Sequence, residues 1–560
     1  MRKVLCLGFD GATFDLINPW VEQGLLPNFK KTMASGAYGR LRSVMQPCSA
    51  QAWTSFMTGK NPAKHGIYGF RKKIPNSYKY IFINGKCVKS ETLWKYLSRQ
   101  GKRVIVINVP VTYPPEEVNG ILVSGMDAPG IESPYTYPVD FKDRIQEISD
   151  GQYRITVHLG GYLNSDERRE EALGKLLAMT EARTALAMHL LKSEPWDFFM
   201  VKYDASDQVQ HYFWKYMANG SGTNEKLEKA ILRVYQQLDD VLGQFMECMG
   251  DDTSLVVMSD HGGGPASGKV FYLNEWLRRE GYLVPKNRSG GSKPSHFVRA
   301  VVSRSIDWLY FYLKKILSDE MKDLLSRRAP KLRAEMRFFV KTAFVDLNLT
   351  KAYLGENLDI INVNLKGREP NGVVNPGKEY EELRDSIIEK LGDIIDEETG
   401  EKVIERVYRR EEVYVGEFLD EAPDLLVVPK NYSYVLSKKV LNDPDAPLIG
   451  YEKHRRGISG VHRMHGIMLF FGNNIKKSNA VTGAKIEDLA PTILSLLGLE
   501  IPDDMDGQVL ESVIEEEFLK ENPVCYTKGE KHSESGLEDP YSDEENETIE
   551  ERLRGLGYIE

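Results

Sequence analysis

Cysteine is scarce in this sequence of 560 residues and follows no recognisable spacing. The cysteines number five, an odd count, and no two of them show the Cys-x-x-Cys arrangement. A disulfide framework and a structural zinc knot are therefore both unsupported, and we expect a protein of the reducing cytoplasm. The five residues are Cys6, Cys48, Cys87, Cys248 and Cys525.

Long apolar runs are also missing. No uninterrupted apolar stretch approaches the roughly 20 residues that a membrane helix requires, so we expect no transmembrane segment. The opening stretch MRKVLCLGFDG loses its apolar character at Asp10, which is short of the roughly 7 to 15 apolar residues of a secretory signal. We interpret this stretch instead as a buried strand.

A surplus of positive charge is absent as well. The sequence has 82 acidic and 73 basic residues, a formal net charge of −9, so a nucleic-acid polymer is not an expected partner. Hydrophobic residues make up 41% and charged residues 28%, proportions that indicate a soluble globular protein. A local basic pocket for a phosphate group is compatible with these totals.

Alternating patterns predict an α/β protein. The apolar run KVLCLGF predicts a buried parallel strand, and residues 91–110 pass from a helix pattern through Gly101 into a second strand. Further strands are predicted at residues 197–204 and within residues 253–264, each after a helical stretch. Helices that alternate with apolar strands indicate a mostly parallel sheet.

Three of these strands end in acidic or histidine residues. Asp10 closes the first strand, Asp204 closes another, and Asp260 with His261 closes a third, just before three glycines. Ligands of open α/β sheets bind at the carboxyl edge of the strands. We therefore expect these side chains to meet at one site.

Spacing adds further candidate ligands. Asp207 and His211 stand four apart in DQVQH, so on a helix both project from one face and can hold one metal ion. His462 and His465 in GVHRMHG precede an apolar strand, and one of the two would complete the site. Six mixed oxygen and nitrogen ligands suit two zinc or manganese ions. The six predicted ligands are Asp10, Asp207, His211, Asp260, His261 and His462.

A serine upstream of a distinctive motif connects the sequence to a known family. Ser49 lies nine residues before Thr58, which opens TGKNPAKHGI. The sequence resembles the alkaline phosphatase superfamily, in particular its type I phosphodiesterase and nucleotide pyrophosphatase branch. The pattern of that branch is a Thr or Ser nucleophile, eight intervening residues, then T-G-x-x-P-x-x-H-G-I. The resemblance runs from Met1 to about Leu510.

The resemblance implies a fold and a ligand set. The implied fold is an α/β, alkaline-phosphatase-like three-layer sandwich with a central, mostly parallel sheet and a helical insertion that forms a cap. The implied cofactors are two divalent metal ions, zinc or manganese. One ion would be surrounded by Asp10, Ser49, Asp260 and His261, and the other held by Asp207, His211 and His462.

The resemblance also implies a reaction. The Ser49 alkoxide would attack phosphorus, and water would then hydrolyse the covalent phosphoserine, so that a phosphodiester or pyrophosphate bond is cleaved. The substrate would be a small or lipid-like phosphate ester. The alternatives are a phosphomonoesterase or sulfatase using the same site, a phosphoglycerate-mutase-like phosphotransferase, and a scaffold without catalysis. Cys48 does not open the C-x-P-x-R pattern of sulfatases.

The sequence predicts three regions along the chain. Residues 1–510 form the catalytic domain, and residues 281–346, where a polar linker leads into an amphipathic helix, form an insertion or cap within it. This insertion is either a helical hairpin packed on the core or a lid that contacts substrate or a lipid surface. Residues 511–560 are strongly acidic and predict a peripheral or partly disordered tail that ends in a short helix.

Four further residues have two interpretations each. His65 is either a seventh ligand or a side chain that orients a helix end. Asp204 and Asp15 are either ligands or hydrogen-bonding supports. Arg368 either clamps an anionic substrate or belongs to a surface turn in GREPNG.

Overall fold

The apolar run KVLCLGF forms a strand, as predicted, near the middle of a nine-stranded sheet. Its two neighbours run parallel to it, so that Cys6 lies opposite Met200 on one side and Val256 on the other. All residues of the strand after Lys3 are buried. A parallel strand covered on both faces must be apolar throughout, and this requirement explains the continuous aliphatic run.

The computed structural model of the protein describes residues 2–219, 224–286, 345–355, 359–441, 443, 445–451, 457–530 and 541–555. The strands of these residues are β1 (Lys3–Phe9), β2 (Ala37–Arg42), β3 (Arg71–Lys73), β4 (Tyr80–Phe82), β5 (Val104–Ile107), β6 (Gly120–Val123), β7 (Thr136–Tyr137), β8 (Phe198–Tyr203), β9 (Thr253–Met258), β10 (Gly262–Pro265), β11 (Lys269–Phe271), β12 (Ala352–Leu354), β13 (Ile360–Val363), β14 (Ile404–Arg409), β15 (Leu425–Pro429), β16 (Val435–Leu436), β17 (Ile449–Tyr451), β18 (Gly460–Arg463), β19 (His465–Gly472), β20 (Asn479–Val481), β21 (Ile501–Pro502) and β22 (Tyr526–Thr527). The helices are α1 (Phe14–Glu22), α2 (Pro27–Ser35), α3 (Ser49–Thr58), α4 (Pro62–His65), α5 (Leu93–Arg99), α6 (Phe141–Ile148), α7 (Asp166–Ser193), α8 (Ala205–Asn219), α9 (Glu225–Glu228), α10 (Ala230–Glu247), α11 (Leu273–Arg279), α12 (Lys378–Gly392), α13 (Arg410–Val413), α14 (Leu489–Leu496), α15 (Glu516–Glu521) and α16 (Asp543–Gly555).

The central sheet has the strand order β20-β2-β19-β9-β1-β8-β5-β6-β7. Its five middle strands, β9 to β6 in this order, are all parallel to one another. Strands β19 and β7 are antiparallel to their neighbours in that group. The prediction of an α/β fold with a mostly parallel central sheet is therefore confirmed.

Amphipathic helices bury one face each. In α10, the buried residues Val234, Leu238, Val241 and Phe245 recur every three or four positions. Residues with this spacing lie on one side of an α-helix, so a single apolar stripe forms and joins the large core around the central sheet. Within the residues that the structure describes, no helix is both long and apolar enough to cross a membrane.

A second, smaller sheet lies between β11 and β16 in the chain. Its antiparallel strands follow the order β12-β13-β15-β14, and helix α12 packs its buried Ile387 and Leu391 into the same core as Ile361 and Val427. Most of the expected insertion at residues 281–346 lies outside the described residues. The boundaries of the catalytic domain, the insertion and the tail stay predictions.

The C-terminal segment ends in the expected short helix, α16, which packs on the core. Ile549 and Leu553 of this helix are buried in the main core. The buried Arg552 donates to the backbone carbonyls of Ala128 and Pro129, the second at 2.7 Å. An acidic, mostly polar segment thus keeps enough apolar residues at helical spacing to dock on the α/β body.

Candidate metal centre and active site

Three carboxylates follow neighbouring strands of the central sheet. Asp10 comes directly after β1, Asp204 directly after β8, and Asp260 two residues after β9. The three strands are adjacent and parallel, so their carboxyl ends meet at one edge. All three aspartates are at least 96% buried there, and charged side chains are rarely buried to this extent unless they are paired with other groups.

The first group of predicted ligands surrounds His261. Its Nε2 atom lies 3.1 Å from Ser49 Oγ and 3.3 Å from Asp260 Oδ2. The distance from the same nitrogen to Asp10 Oδ1 is 3.6 Å. Nitrogen and oxygen atoms of four residues from three distant parts of the chain therefore converge on one small buried volume.

The second group is a triangle on the adjoining side of His261. Asp207 Oδ1 lies 3.2 Å from His211 Nε2 and 3.5 Å from His462 Nε2, and the two histidine nitrogens are 3.1 Å apart. Asp207 and His211 lie on one face of α8, as their spacing predicts, and His462 belongs to β18. Tetrahedral ligands about 2.0 to 2.1 Å from a metal lie roughly 3.3 Å apart, so the triangle has the size of a metal site.

All three histidines are oriented by backbone carbonyls. The Nδ1 atoms of His261, His211 and His462 lie 3.0, 2.9 and 2.8 Å from the carbonyl oxygens of Gly262, Gly460 and Pro47, respectively. A carbonyl oxygen can only accept a hydrogen bond, so each Nδ1 carries the proton. Each Nε2 then directs its lone pair into the cluster, which is the arrangement that metal-binding histidines require.

The position of Ser49 depends on the structure of α3. Ser49 is the first residue of this helix, where the helix dipole favours negative charge, and the helix ends at Gly59 in a left-handed conformation with φ of 65°. The side chain of Gln51 donates to Met45 O at 2.9 Å and to Tyr414 Oη at 3.0 Å. These bonds attach the segment before the serine to the small sheet region.

The buried carboxylates of the first group are unbalanced without a cation. Among the described residues, Asp10 Oδ1 and Asp260 Oδ2 are buried oxygens with no hydrogen-bond partner. Burial and the charge of Asp10 raise the pKa of Asp260 well above its ordinary value. A divalent cation among these oxygens and His261 Nε2 would relieve both problems, so the residues fit a metal ion.

A comparison of sequences decides the family. The sequence matches the family described as type I phosphodiesterase / nucleotide pyrophosphatase over residues 4–467. The chain belongs to this family. It is accordingly a metal-dependent phosphoester hydrolase, as predicted.

Solved structures are similar to this phosphodiesterase family member at low sequence identity. They include wild-type alkaline phosphatase PafA, at 14% identity and a TM-score of 0.50, with 92% of this chain and 99% of that chain covered. Phosphonoacetate hydrolase from Sinorhizobium meliloti 1021 has 14% identity and a TM-score of 0.49, with 89% and 96% covered. Murine ectonucleotide pyrophosphatase / phosphodiesterase 5 has 14% identity and a TM-score of 0.44, with 89% and 95% covered. A search of curated protein sequences found no match.

A buried network behind Asp10 was not predicted. In this phosphodiesterase family member, Lys202 Nζ lies 2.5 Å from Asp10 Oδ2 and also contacts Asp204. Arg183 donates to the other oxygen of Asp204 at 2.6 Å. Asp204 is therefore a support, and Lys202 holds one oxygen of Asp10 so that the other faces the cluster. The signal in the sequence was a lysine inside the otherwise apolar strand FFMVKY.

Three other candidates lie outside the two ligand groups. His465 is exposed on β19, opposite Arg42 of β2. Asp15 forms a half-exposed ion pair with Arg40 at 2.6 Å. Arg368 makes a bidentate contact with the buried Asp424 at 2.6 and 2.8 Å, so its charge is already balanced within the small sheet region.

His65 orients a helix end. Its Nδ1 accepts from the backbone N–H of Ile67 at 3.3 Å, and its Nε2 lies 2.9 Å from Ser55 Oγ on α3. The neutral ring is thus held between a donor and a hydroxyl acceptor. Burial, with the charge of Lys60 adding to it, lowers the pKa of His65 to about 3.

This depressed pKa predicts an acid-dependent loss of stability. Below about pH 6.5 His65 is protonated in the unfolded chain but stays neutral in the folded chain. The contribution of the neutral ring to the free energy of unfolding is therefore lost as the pH falls from 6.5 towards 3. The advantage of wild type over His65→Gln in free energy of unfolding should shrink by up to about 1.4 kcal/mol per pH unit. Urea denaturation of both proteins at several pH values measures this difference in free energy of unfolding. The exposed His189→Gln is the control, and a constant His65→Gln difference would contradict the assignment.

Proposed function

We propose that the protein cleaves phosphodiester or pyrophosphate bonds through a covalent phosphoserine on Ser49, with two divalent metal ions, zinc or manganese. The observation that carries this proposal is that the two ligand groups adjoin at His261, whose Nε2 atom lies 3.1 Å from Ser49 Oγ. Membership in the phosphodiesterase and nucleotide pyrophosphatase family supports the diester or anhydride as the bond that is broken.

Each ligand group would hold one ion. The distances of 3.1 to 3.6 Å around His261 Nε2 support one group. Distances of 3.1 to 3.5 Å within the triangle support the other. Three imidazoles and three carboxylates suit either zinc or manganese. The first group is Asp10, Ser49, Asp260 and His261, and the second is Asp207, His211 and His462.

The residues of the chain supply positioning and the nucleophile. When bound, the two ions lower the pKa of the serine hydroxyl and of water, and they neutralise the charge of the phosphoryl oxygens. The proton of the Ser49 hydroxyl passes to solvent water as Oγ bonds to phosphorus, and the ester oxygen leaves with the electron pair of the broken bond and takes up a proton from water. Water then attacks the phosphoserine, which releases phosphate product and restores the Ser49 hydroxyl.

The substrate of this reaction is proposed to be a small or lipid-like phosphate ester. The family description supports a nucleotide-like arm. The reducing cytoplasm stays our proposed location, and the observation that none of the five cysteines forms a disulfide bond supports it.

Metal binding and bond preference test the proposal directly. We expect chelator-treated protein to be inactive, and zinc or manganese to restore hydrolysis of bis(4-nitrophenyl) phosphate more than of 4-nitrophenyl phosphate. His462→Ala should lower the bound metal from two ions per chain and reduce activity by about a hundredfold or more, because it removes a ligand rather than a ligand's support.

The histidine three residues further on is the matched control. His465→Ala should retain both ions and the activity, because His465 lies on an exposed position of β19. If the enzyme instead prefers the monoester, the site is that of a phosphomonoesterase, which is the alternative activity. Equal metal content and equal activity in the two histidine variants would refute the assigned ligand set.

A further inference from the structure

A cavity of about 520 Å³ lies between the hairpin β3–β4 and the small sheet. Its walls include the hairpin, the start of β13, residues 365–369 and residues 420–423. The volume falls within the roughly 300 to 1,000 Å³ of pockets for small ligands. None of the seven predicted site residues lines it, so the cavity is not explained by the ligand groups.

The lining of this cavity combines apolar surface with positive charge. Tyr68, Tyr80, Ile83 and Leu365 contribute rings and aliphatic groups. Basic residues outnumber acidic residues by six to three. The basic residues are Arg71, Lys72, Lys73, Lys366, Arg368 and Arg410, and the acidic residues are Glu369, Asp420 and Glu421.

Two of the basic side chains are nearly buried, whereas the acidic side chains that pair with them are exposed to solvent. The side chains of Lys72 and Arg410 are each 10% exposed, whereas those of Glu421 and Asp420 are 41% and 95% exposed. The pairs are closed at 2.6 and 3.0 Å. Ion pairs with a solvated partner contribute little, because water replaces the contact at small cost. A ligand anion can therefore take the place of either carboxylate.

Other cations of the lining are already neutralised by buried acids. Lys73 contacts Glu369, and Arg368 contacts Asp424, and both of these carboxylates are fully buried. A buried carboxylate deprived of its cation would be strongly destabilised, so these pairs cannot open for a ligand. Arg410 is balanced in part, since it also pairs with Glu411 at 3.2 Å and lies 3.9 Å from Asp424. The attraction for an anion therefore comes chiefly from Lys72, and Arg410 adds to it where it faces the exposed Asp420.

The wall of the cavity is connected to the segment before Ser49 by one hydrogen bond. Ile360 lines the cavity, and the carbonyl of the preceding residue, Asp359, accepts a hydrogen bond from the side chain of Gln46. Gln46 stands three residues before Ser49 in the segment that ends at α3. A ligand that contacts Ile360 thus lies one residue along the chain from Asp359, which holds the segment before the serine.

We propose that this cavity binds a small organic anion that has an aromatic or aliphatic body. The body packs on the apolar lining, and the anionic group replaces Glu421 or Asp420 at Lys72 and Arg410. Two sources fit this chemistry. The anion is either the far arm of the phosphoester substrate, in which case the inference rests on the proposed function, or a separate ligand.

Binding of naphthalene-1-sulfonate to the full chain tests the proposal. The protein is treated with chelator, so that binding does not depend on metal or catalysis, and the titration is followed by calorimetry. We expect one site that Lys72→Gln weakens about tenfold through loss of a charge-assisted contact. Glu421→Gln should tighten binding about threefold, because a competing carboxylate is removed. The opposite signs separate this result from general damage to the fold.

Lys476→Gln is the matched control, since Lys476 faces Glu516 at 3.8 Å outside the cavity. Its affinity should equal that of wild type. No binding, or one affinity for all four proteins, would overturn the proposal even if the enzyme hydrolyses phosphodiesters normally. Competition then identifies the source: a raised KM for bis(4-nitrophenyl) phosphate with unchanged kcat indicates the substrate arm, and an unchanged KM indicates a separate ligand.

Discussion

Ser49→Ala is expected to lower kcat for phosphodiester hydrolysis by about a thousandfold or more. The variant removes the only atom that would bond to phosphorus, while the six aspartate and histidine ligands remain. Hydrolysis of bis(4-nitrophenyl) phosphate with saturating zinc or manganese measures the loss. Metal content, measured on the same samples, should stay close to that of wild type.

Ser55→Ala provides the matched control for this experiment. Ser55 is also a buried serine of α3, but its hydroxyl contacts His65 and lies outside both ligand groups. Its removal should affect stability and leave kcat nearly unchanged. If Ser49→Ala is as active as wild type, the covalent mechanism is wrong; if both serine variants lose activity equally, a damaged helix explains the result.

Lys202→Met is expected to lower the free energy of unfolding by about 3 to 5 kcal/mol. Lys202 lies between the carboxylates of Asp10 and Asp204, and all three side chains are at most 5% exposed. Without the ammonium group, two carboxylates face each other's charge in a medium that solvates them poorly. Urea denaturation of chelator-treated protein measures the loss.

Two comparisons show whether the loss is electrostatic. Asp10→Asn in the Lys202→Met background should restore part of the stability, because Asp10 has lost its lysine partner in that variant whereas Asp204 keeps Arg183. Saturating zinc should reduce the effect of Lys202→Met, since a cation beside Asp10 then replaces the missing charge. A Lys202→Met protein as stable as wild type would show that the ammonium group does not balance these carboxylates.

Much of the site could be predicted because its ligands follow local patterns. Asp10 and Asp260 end continuous apolar strands, and parallel strands bring their carboxyl ends together. Asp207 and His211 have the spacing of one helix face. These features depend on a few consecutive residues, which is why the sequence alone was sufficient.

The choice between His462 and His465 depended on pairing between distant strands. Gly263 of β10 lies opposite His462 of β18. A Cβ atom at Gly263 would stand 2.2 Å from Gln210 Oε1 on α8, so a side chain at this position would displace the amide group of Gln210. His465 belongs to the next strand and pairs with Arg42 instead. A glycine-rich run after Asp260 hinted at close approach but did not identify the partner strand.

Two features could not be predicted from local sequence patterns. They are the network of Lys202 and Arg183, and the small sheet. The need for a buried lysine becomes apparent only when Asp10 and Asp204 are known to be neighbours in space. The small sheet pairs β13 with β15 across more than sixty residues. Such a register is set by packing against α12 rather than by neighbouring residues.

The central position of β1 has a consequence for synthesis of the protein on the ribosome. Its two partners, β8 and β9, lie about 195 and 250 residues later in the chain, so its edges stay unpaired while all of that sequence is translated. At about 5 to 20 residues per second the delay is of the order of ten seconds or more. During that time an apolar strand with two open edges is a substrate for chaperones and a starting point for aggregation.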